Sequence, residues 1–253
     1  MKKSVSRVVV AAASVAVLGL ATACGGSGDD TASDKKAGAK DASQQSAPLS
    51  EAQLKKAALT KTEVKGYQIE SVGEKELGGG RGAKADKADC QPIAEMFGTE
   101  FTPKPAASVF SGFTNIGAGG KDPDKAFDVS ELSLGTLRIS AYSEADAKKT
   151  VTDLKAAIGA CTAGLGITGI DEALKLSGVK PEAAPQLGDD AVAFSAKMLD
   201  SEEPGMARFD MVRSGSQLTV VMSFHDVSKK HPKAPEALLK AQVAKVERVA
   251  GGK

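Results

Sequence analysis

The chain has 253 residues, with 33 Lys and Arg against 32 Asp and Glu and a formal charge of +1 at pH 7. This balance gives no field of a single sign for a polyanion, which argues against nucleic acid as a partner. Aromatic residues make up 4% of the chain, with no Trp and two Tyr, which argues against sugar-binding platforms and aromatic cages.

The first 23 residues have the layout of a secretory signal peptide. Lys2, Lys3 and Arg7 give a positive start, and the stretch 8–20 that follows is free of charge and mostly apolar. This apolar run of about thirteen residues is too short to span a bilayer, which takes roughly 20. Removing residues 1–23, which hold three basic and no acidic residues, leaves a formal charge of −2.

The predicted cleavage point resembles a bacterial lipobox, because Leu20-Ala21-Thr22-Ala23 leads directly into Cys24. The resemblance implies a diacylglyceryl group on the Cys24 sulfur, with fatty acids such as palmitate, and cleavage before this residue. It also implies retention on the outer face of the cell membrane. Plain secretion and an uncleaved anchor are the alternatives.

Residues 24–49 are predicted to form a disordered tether. Between residues 25 and 48 no aliphatic side chain is larger than Ala, so the segment lacks the apolar area needed to offset chain entropy. The tether separates the lipid from the remainder of the chain.

Residues 50–253 are predicted to form a single α+β domain, an antiparallel sheet with helices packed on one face. Capping-box patterns begin helices at Ser50 and Ser143, and Pro235 stands near the start of a closing helix. A shorter helix carries Cys90. Strands are predicted at 67–72, 108–114, 130–142, 192–198, 208–213 and 217–224, with a β-bulge at Gly135.

Two cysteines remain once Cys24 is assigned to the lipid. An exported chain with one further pair, Cys90 and Cys161, is typical of a single disulfide. Two buried free thiols are the alternative. Redox catalysis is disfavoured, because the sequence has no Cys-x-x-Cys and no His beside either cysteine.

No metal, cofactor or catalytic site is predicted. The glycines at 164–169 match a dinucleotide-binding fingerprint, but that motif needs a strand before it and here a long helix precedes it. The segment is therefore predicted to form the end of the helix and a turn. The acidic stretch 122–128 lacks the later ligands of an EF-hand, and a solvated turn is preferred. Five residues separate His225 from His231, and two of them are lysines, which disfavour a metal there.

Several short motifs in the ordered part of the chain occur together. They are Leu59–Tyr67, Asp89–Ile93, Tyr142–Ala147, Ile158–Cys161, Pro185–Asp190 and Val212–Leu218. In this order they resemble the extracytoplasmic sensor-like domain of actinobacterial lipoproteins, which is related to the external domain of PknH-type serine/threonine kinases. The resemblance implies an antiparallel sheet with packed helices, a Cys90–Cys161 bridge and a surface cleft for an unknown ligand.

The expected function is therefore that of a lipid-anchored, extracytoplasmic binding or sensor-like protein without catalysis. Its expected partners are the membrane, through the anchor on Cys24, and an unknown small ligand or envelope protein. An envelope carrier of lipids or amphiphiles is the first alternative, which an apolar cavity within the sheet would favour. An envelope hydrolase is the second alternative, which a working Ser, His and Asp site would favour.

Overall fold

The computed structural model describes residues 48–77, 82–115, 133–199, 205–226 and 233–252. The predicted signal peptide, Cys24 and the tether up to residue 47 lie outside these residues. The acidic stretch 122–128 and His231 lie outside them as well. No helix within the described ranges is long and apolar enough to cross a membrane.

In the described part of the chain, nine strands form one sheet. They are β1 (Tyr67–Val72), β2 (Lys84–Ala85), β3 (Ala107–Asn115), β4 (Ser133–Ala141), β5 (Gly164–Thr168), β6 (Leu174–Pro181), β7 (Asp190–Met198), β8 (Gly205–Ser214) and β9 (Gln217–Asp226). Their order across the sheet is β1-β3-β4-β9-β8-β7-β6-β5-β2, and every pairing is antiparallel. The predicted α+β class and antiparallel sheet are confirmed.

The hairpin of β8 and β9 forms the centre of the sheet. The two strands pair continuously from Ser214↔Gln217 to Gly205↔Asp226, with residues 215 and 216 as the turn. The strands predicted at 208–213 and 217–224 are therefore confirmed, and both extend beyond the predicted bounds. β8 is buried at every position from Met206 to Arg213, so both of its faces are covered.

Four α-helices occur among the described residues, and they cover both faces of the sheet. They are α1 (Glu51–Ala57), α2 (Gln91–Ala94), α3 (Glu144–Ala160) and α4 (Glu236–Ala250). α2 and α3 pack on the face that carries Phe209 and Met211. α4 packs on the opposite face against Val212 and Val221, and α1 lies beside it over Ile139.

This arrangement differs from the expected single helix-covered face. The reason is that the central strands carry apolar residues on both alternations, so each face needs its own cover. Phe209 and Val212 of β8, one on each face, show this pattern within a single strand.

The predicted helix after Ser143 is confirmed as α3. The Ser143 hydroxyl accepts a hydrogen bond from the Asp146 backbone N–H at 3.1 Å, which caps the helix. Ala147, Val151, Leu154 and Ile158 are buried at helical spacing, so one stripe of the helix contacts the sheet.

The predicted β-bulge at Gly135 is wrong. Gly135 pairs in continuous register with Phe113 on one side and Ser223 on the other. A Cβ at this position would lie 1.9 Å from the Met222 carbonyl oxygen and 2.9 Å from the Phe113 ring. The glycine is therefore needed for the close approach of neighbouring strands rather than for a change of phase.

β2, β5 and β6 were not predicted. The expected turn over residues 164–169 is instead largely β5, in which Gly164 has φ +109 and a Cβ would lie 2.1 Å from the Leu176 carbonyl oxygen. The register of β6 shifts between Ser177 and Lys180. These short, glycine-containing and irregular strands lack the apolar alternation that predicts a strand.

Candidate binding cleft

A cleft of about 1070 Å³ opens at the end of the sheet where β3 begins. Three segments distant in sequence form its walls: residues 48–51 at the start of α1, residues 82–84 with β2, and the connection 99–108 that leads into β3. Gln91, the first residue of α2, and Glu95, directly after this helix, complete the lining with Glu74. The volume lies slightly above the range of about 300–1,000 Å³ that is usual for small-molecule sites.

Two side chains of the α2 region hold these walls together. The Gln91 side-chain amide donates to the Ala83 carbonyl at 2.8 Å and accepts from the Ala85 N–H at 3.0 Å. The buried Glu95 carboxylate accepts from the Thr102 N–H at 2.9 Å and from the Gln91 amide at 3.1 Å. Two walls of the cleft are thus fastened to each other through hydrogen bonds that need no ligand.

The lining of the cleft is mixed in polarity. Its charged residues are Glu51, Glu74, Lys84, Glu95, Glu100 and Lys104. Leu49, Phe101 and Pro105 contribute apolar surface. Such a lining fits a polar ligand with some apolar area, whereas a lipid chain needs a cavity with uniformly apolar walls.

Arg138 lies beneath Phe101, in the middle of β4. Its guanidinium carbon is 3.3 Å from the centre of the Phe101 ring, a cation–π contact. The residue is 7% exposed. Burial lowers the pKa of Arg138 to about 10, although Tyr142 and Glu95 favour its charged form. Arg138 therefore stays protonated at neutral pH.

A second, smaller pocket of about 40 Å³ adjoins Arg138. Its walls come from the 3-10 turn before residue 98, from β3, β4 and β9, and from Leu77. They are Leu77, Met96, Phe97, Gly98, Thr99, Phe110, Thr136, Arg138, Val220 and Met222. Thr99 lines both this pocket and the large cleft, so the two spaces share one wall.

On the opposite face of the sheet lies a buried ion network around Arg208. Its guanidinium donates two hydrogen bonds to the Asp210 carboxylate, at 2.7 and 2.9 Å, and one to the Ala183 carbonyl at 3.1 Å. Burial raises the pKa of Asp210, while the hydrogen bonds from Arg208 oppose that shift. Since Asp210 is fully buried, this network holds β8 to the connection after β6 rather than forming an open site.

The Ser223 hydroxyl and His225 Nε2 lie 3.0 Å apart on β9. Ser223 is fully buried, so a substrate has no access to this hydroxyl. Within the described ranges, no group of three or more His, Cys, Asp and Glu side chains is placed to hold a metal ion.

Of the predicted site residues, Cys90 and Cys161 form a disulfide. The bond joins the 3-10 turn Ala88–Cys90, directly before α2, to the C-terminal cap of α3. Both cysteines are buried, so the disulfide is part of the core beside the cleft. Cys24, the predicted lipid attachment site, lies outside the described residues.

The motif residues that suggested the resemblance serve mainly to stabilise the fold. The Asp189 carboxylate accepts from the Gly215 N–H at 2.7 Å and from the Arg213 guanidinium at 3.0 Å. It thereby joins the 185–190 and 212–218 motifs at the β8–β9 turn. Tyr142 is in the core near Arg138.

Arg138, Phe101 and Glu95 were not predicted as site residues from the sequence. One signal was available for Arg138, because this charged residue stands between Leu137 and Ile139 in a strand with apolar neighbours on both sides. A charge at the centre of a buried strand indicates either an ion pair or a functional site.

No protein-family model matches the chain, and no curated protein matches it. Among solved structures, the chain is similar to the extracellular domain of PknH from Mycobacterium tuberculosis, with 10% identity and a TM-score of 0.47 over 81% of this chain and 98% of that one. It is also similar to an uncharacterised protein from Mycobacterium smegmatis, the Rv0999 ortholog, with 17% identity and a TM-score of 0.37 over 78% and 94%. The PknH external domain named by the sequence resemblance is thus among the similar solved structures.

Proposed function

We propose that this chain is a non-catalytic, extracytoplasmic binding protein of the sensor-like type, which holds a small polar ligand in the large cleft. The observation that carries the proposal is the cleft of about 1070 Å³, whose walls are joined by Gln91 and Glu95. Walls that are already fixed need little ordering when a ligand binds, which favours affinity.

The charges of the lining suggest the class of ligand. Four glutamates and two lysines surround the opening, and Phe101 and Pro105 give flat apolar surface between them. A ligand with amine or hydroxyl donors and a compact apolar body fits this combination. The alternative of a carrier for lipid chains gains no support from such a charged lining.

A lipid on Cys24 would place this binding domain on the outer face of the membrane. The sequence features that support this part of the proposal are the signal peptide and the lipobox. We expect Cys24→Ser to release the protein from membranes into the soluble fraction. Full membrane retention of this variant would count against lipid anchoring, whatever the cleft binds.

The binding proposal is tested by closing the cleft with one side chain. Ala106 lines the cleft and is exposed, so Ala106→Trp places a large ring in the cleft without disturbing the core. Ala156, exposed on α3 and away from the cleft, gives the matched control Ala156→Trp.

Small molecules extracted from a bacterial envelope are fractionated and added to the three proteins during thermal unfolding. We expect one or more fractions to raise the unfolding midpoint of the wild type and of Ala156→Trp, but not of Ala106→Trp. An equal rise in all three proteins would mean that binding occurs elsewhere.

A further inference from the structure

We propose that the small pocket at Arg138 is a second binding site, specific for the carboxylate group of a small organic acid. The site is distinct from the large cleft, and the proposal does not depend on what the cleft binds. Its basis is a buried arginine that lacks a partner beside a pocket of suitable size and lining.

The Arg138 guanidinium has no counter-ion among the described residues. Among the described residues, Arg138 makes no hydrogen bond, and no carboxylate lies within ion-pair distance of it. Its Nε atom is fully buried without a partner. Buried arginines in proteins are almost always paired, because a charge that has lost its water needs other hydrogen-bond partners.

The nearby groups of the protein do not supply these partners. The Glu95 carboxylate acts on Arg138 only at longer range, and its oxygens are engaged by Gln91 and by the Thr102 N–H. The Phe101 ring covers one face of the guanidinium plane. A ring over this plane leaves the in-plane N–H donors unsatisfied, so Arg138 retains donors for an external acceptor.

The pocket beside Arg138 selects the kind of acceptor. Its volume of about 40 Å³ is more than the roughly 10–15 Å³ of such space that one water requires, so a carboxylate group fits. Thr99 and Thr136 are its hydroxyl-bearing residues, and the other walls are largely apolar.

Charge and shape both favour a carboxylate over a phosphate. One arginine carries a single positive charge, which one carboxylate neutralises, whereas a phosphate dianion would leave an excess negative charge among Met96, Phe97 and Val220. A planar carboxylate also matches the planar guanidinium fork. The apolar walls would then contact a short hydrocarbon part of the acid.

The test compares propionate with propionamide, its neutral isostere, and with inorganic phosphate, at constant ionic strength and pH 7. Binding is followed through the Nε–H resonance of Arg138 in ¹H–¹⁵N spectra, assigned by its absence in Arg138→Met. The variants are Arg138→Met, which keeps the length without the charge, and Arg248→Met, which removes an exposed arginine of α4. The unfolding midpoints of the wild type and of both variants are also measured at increasing concentrations of each compound.

We expect propionate to shift the Nε–H resonance saturably and to raise the unfolding midpoint, whereas propionamide does neither. Arg138→Met should lose about tenfold or more in propionate affinity, and Arg248→Met should keep it. If Arg138→Met fails to fold, Arg138→Lys, which also lacks the Nε–H group, provides the assignment, and the propionate response of the wild-type resonance decides. An absent or unsaturable shift, an equal response to propionamide, or binding of inorganic phosphate alone would overturn the proposal.

Discussion

Single polar side chains fasten α4 to α1 and to the connection that follows α1. Gln242 of α4 is fully buried, donates to the Ala57 carbonyl at 2.7 Å and accepts from the Leu59 N–H at 3.0 Å. It therefore satisfies two backbone groups at the end of α1 that would otherwise be buried without partners.

Replacing Gln242 with Leu keeps the volume but leaves both backbone groups unsatisfied. We expect the free energy of unfolding to fall by about 3 kcal/mol, since each unsatisfied buried group costs roughly 1–3 kcal/mol. Urea unfolding of Gln242→Leu measures this, with Lys240→Leu on the exposed side of the same helix as control. Equal stability of the two variants would show that the Gln242 amide is dispensable.

Glu63 links the connection after α1 to α4 through charge. Its carboxylate accepts hydrogen bonds from Lys245 at 2.8 Å and from the Thr60 N–H at 2.6 Å. The hydrogen bond from Lys245 lowers the pKa of Glu63 below its ordinary value, more than burial raises it. The folded state favours the ionised carboxylate, so this stabilisation is present above the pKa that Glu63 has in the unfolded chain. It is lost as the pH falls through the lower pKa of Glu63 in the folded protein.

Glu63→Gln should therefore destabilise the protein at pH 7 and much less at pH 3. The expected loss at pH 7 is about 0.5–1 kcal/mol, because the pair is partly exposed to solvent. Urea unfolding at both pH values measures it, with the exposed Glu172→Gln as control. A loss of the same size at pH 3 would contradict the role of the Glu63 charge.

At the level of elements, α2 depends on its covalent link to α3. A helix of four residues has no stability of its own, and the Cys90–Cys161 disulfide joins its start to the end of a helix of 17 residues. Gln91 and Glu95 of this region hold the walls of the large cleft. The disulfide therefore supports both the core and the cleft.

Removing this disulfide tests that link. The bond closes a loop with a sequence separation of 71, for which the chain-entropy account gives about 4 kcal/mol of stabilisation. In a Cys24→Ser background, we expect Cys90→Ala with Cys161→Ala to lower the free energy of unfolding by about this amount. The denatured parent should show no free thiol before reduction and two after it, and two free thiols before reduction would contradict the bond.

Helices and strands with a regular apolar pattern can be predicted from this sequence, whereas irregular ones cannot. α3, α4 and the β8–β9 hairpin have a regular apolar period and clear end signals such as Ser143, so the sequence predicts them. β5 and β6 contain Gly164, Gly166 and Gly178 and an irregular register. Their conformation is set by close contacts with neighbouring strands, which no local pattern encodes.

At the level of the whole molecule, the cleft is a product of tertiary structure. Its walls come from residues 48–51, 82–84 and 99–108, and Arg138 comes from β4 in the middle of the sheet. None of these segments carries a motif of its own. The predicted disulfide between Cys90 and Cys161 is present and stabilises the element that lines the cleft.

Two helix-covered faces explain why the cleft lies at an end of the sheet. α3 and α4 occupy the opposite faces over β8 and β9, so these helices cover much of the surface of the central strands. Open space occurs where α1, β2 and the 99–108 connection meet beyond these helices.

A comparison of native with denatured mass spectra shows whether this domain holds a small ligand in the cleft. The full chain is exported with its own signal peptide and purified without exposure to denaturant, alongside Ala106→Trp and Ala156→Trp. We predict an added mass on the wild type and on Ala156→Trp that disappears on denaturation and is absent from Ala106→Trp. The same added mass on all three proteins, or none on the wild type even after incubation with envelope extract, would contradict binding in the cleft.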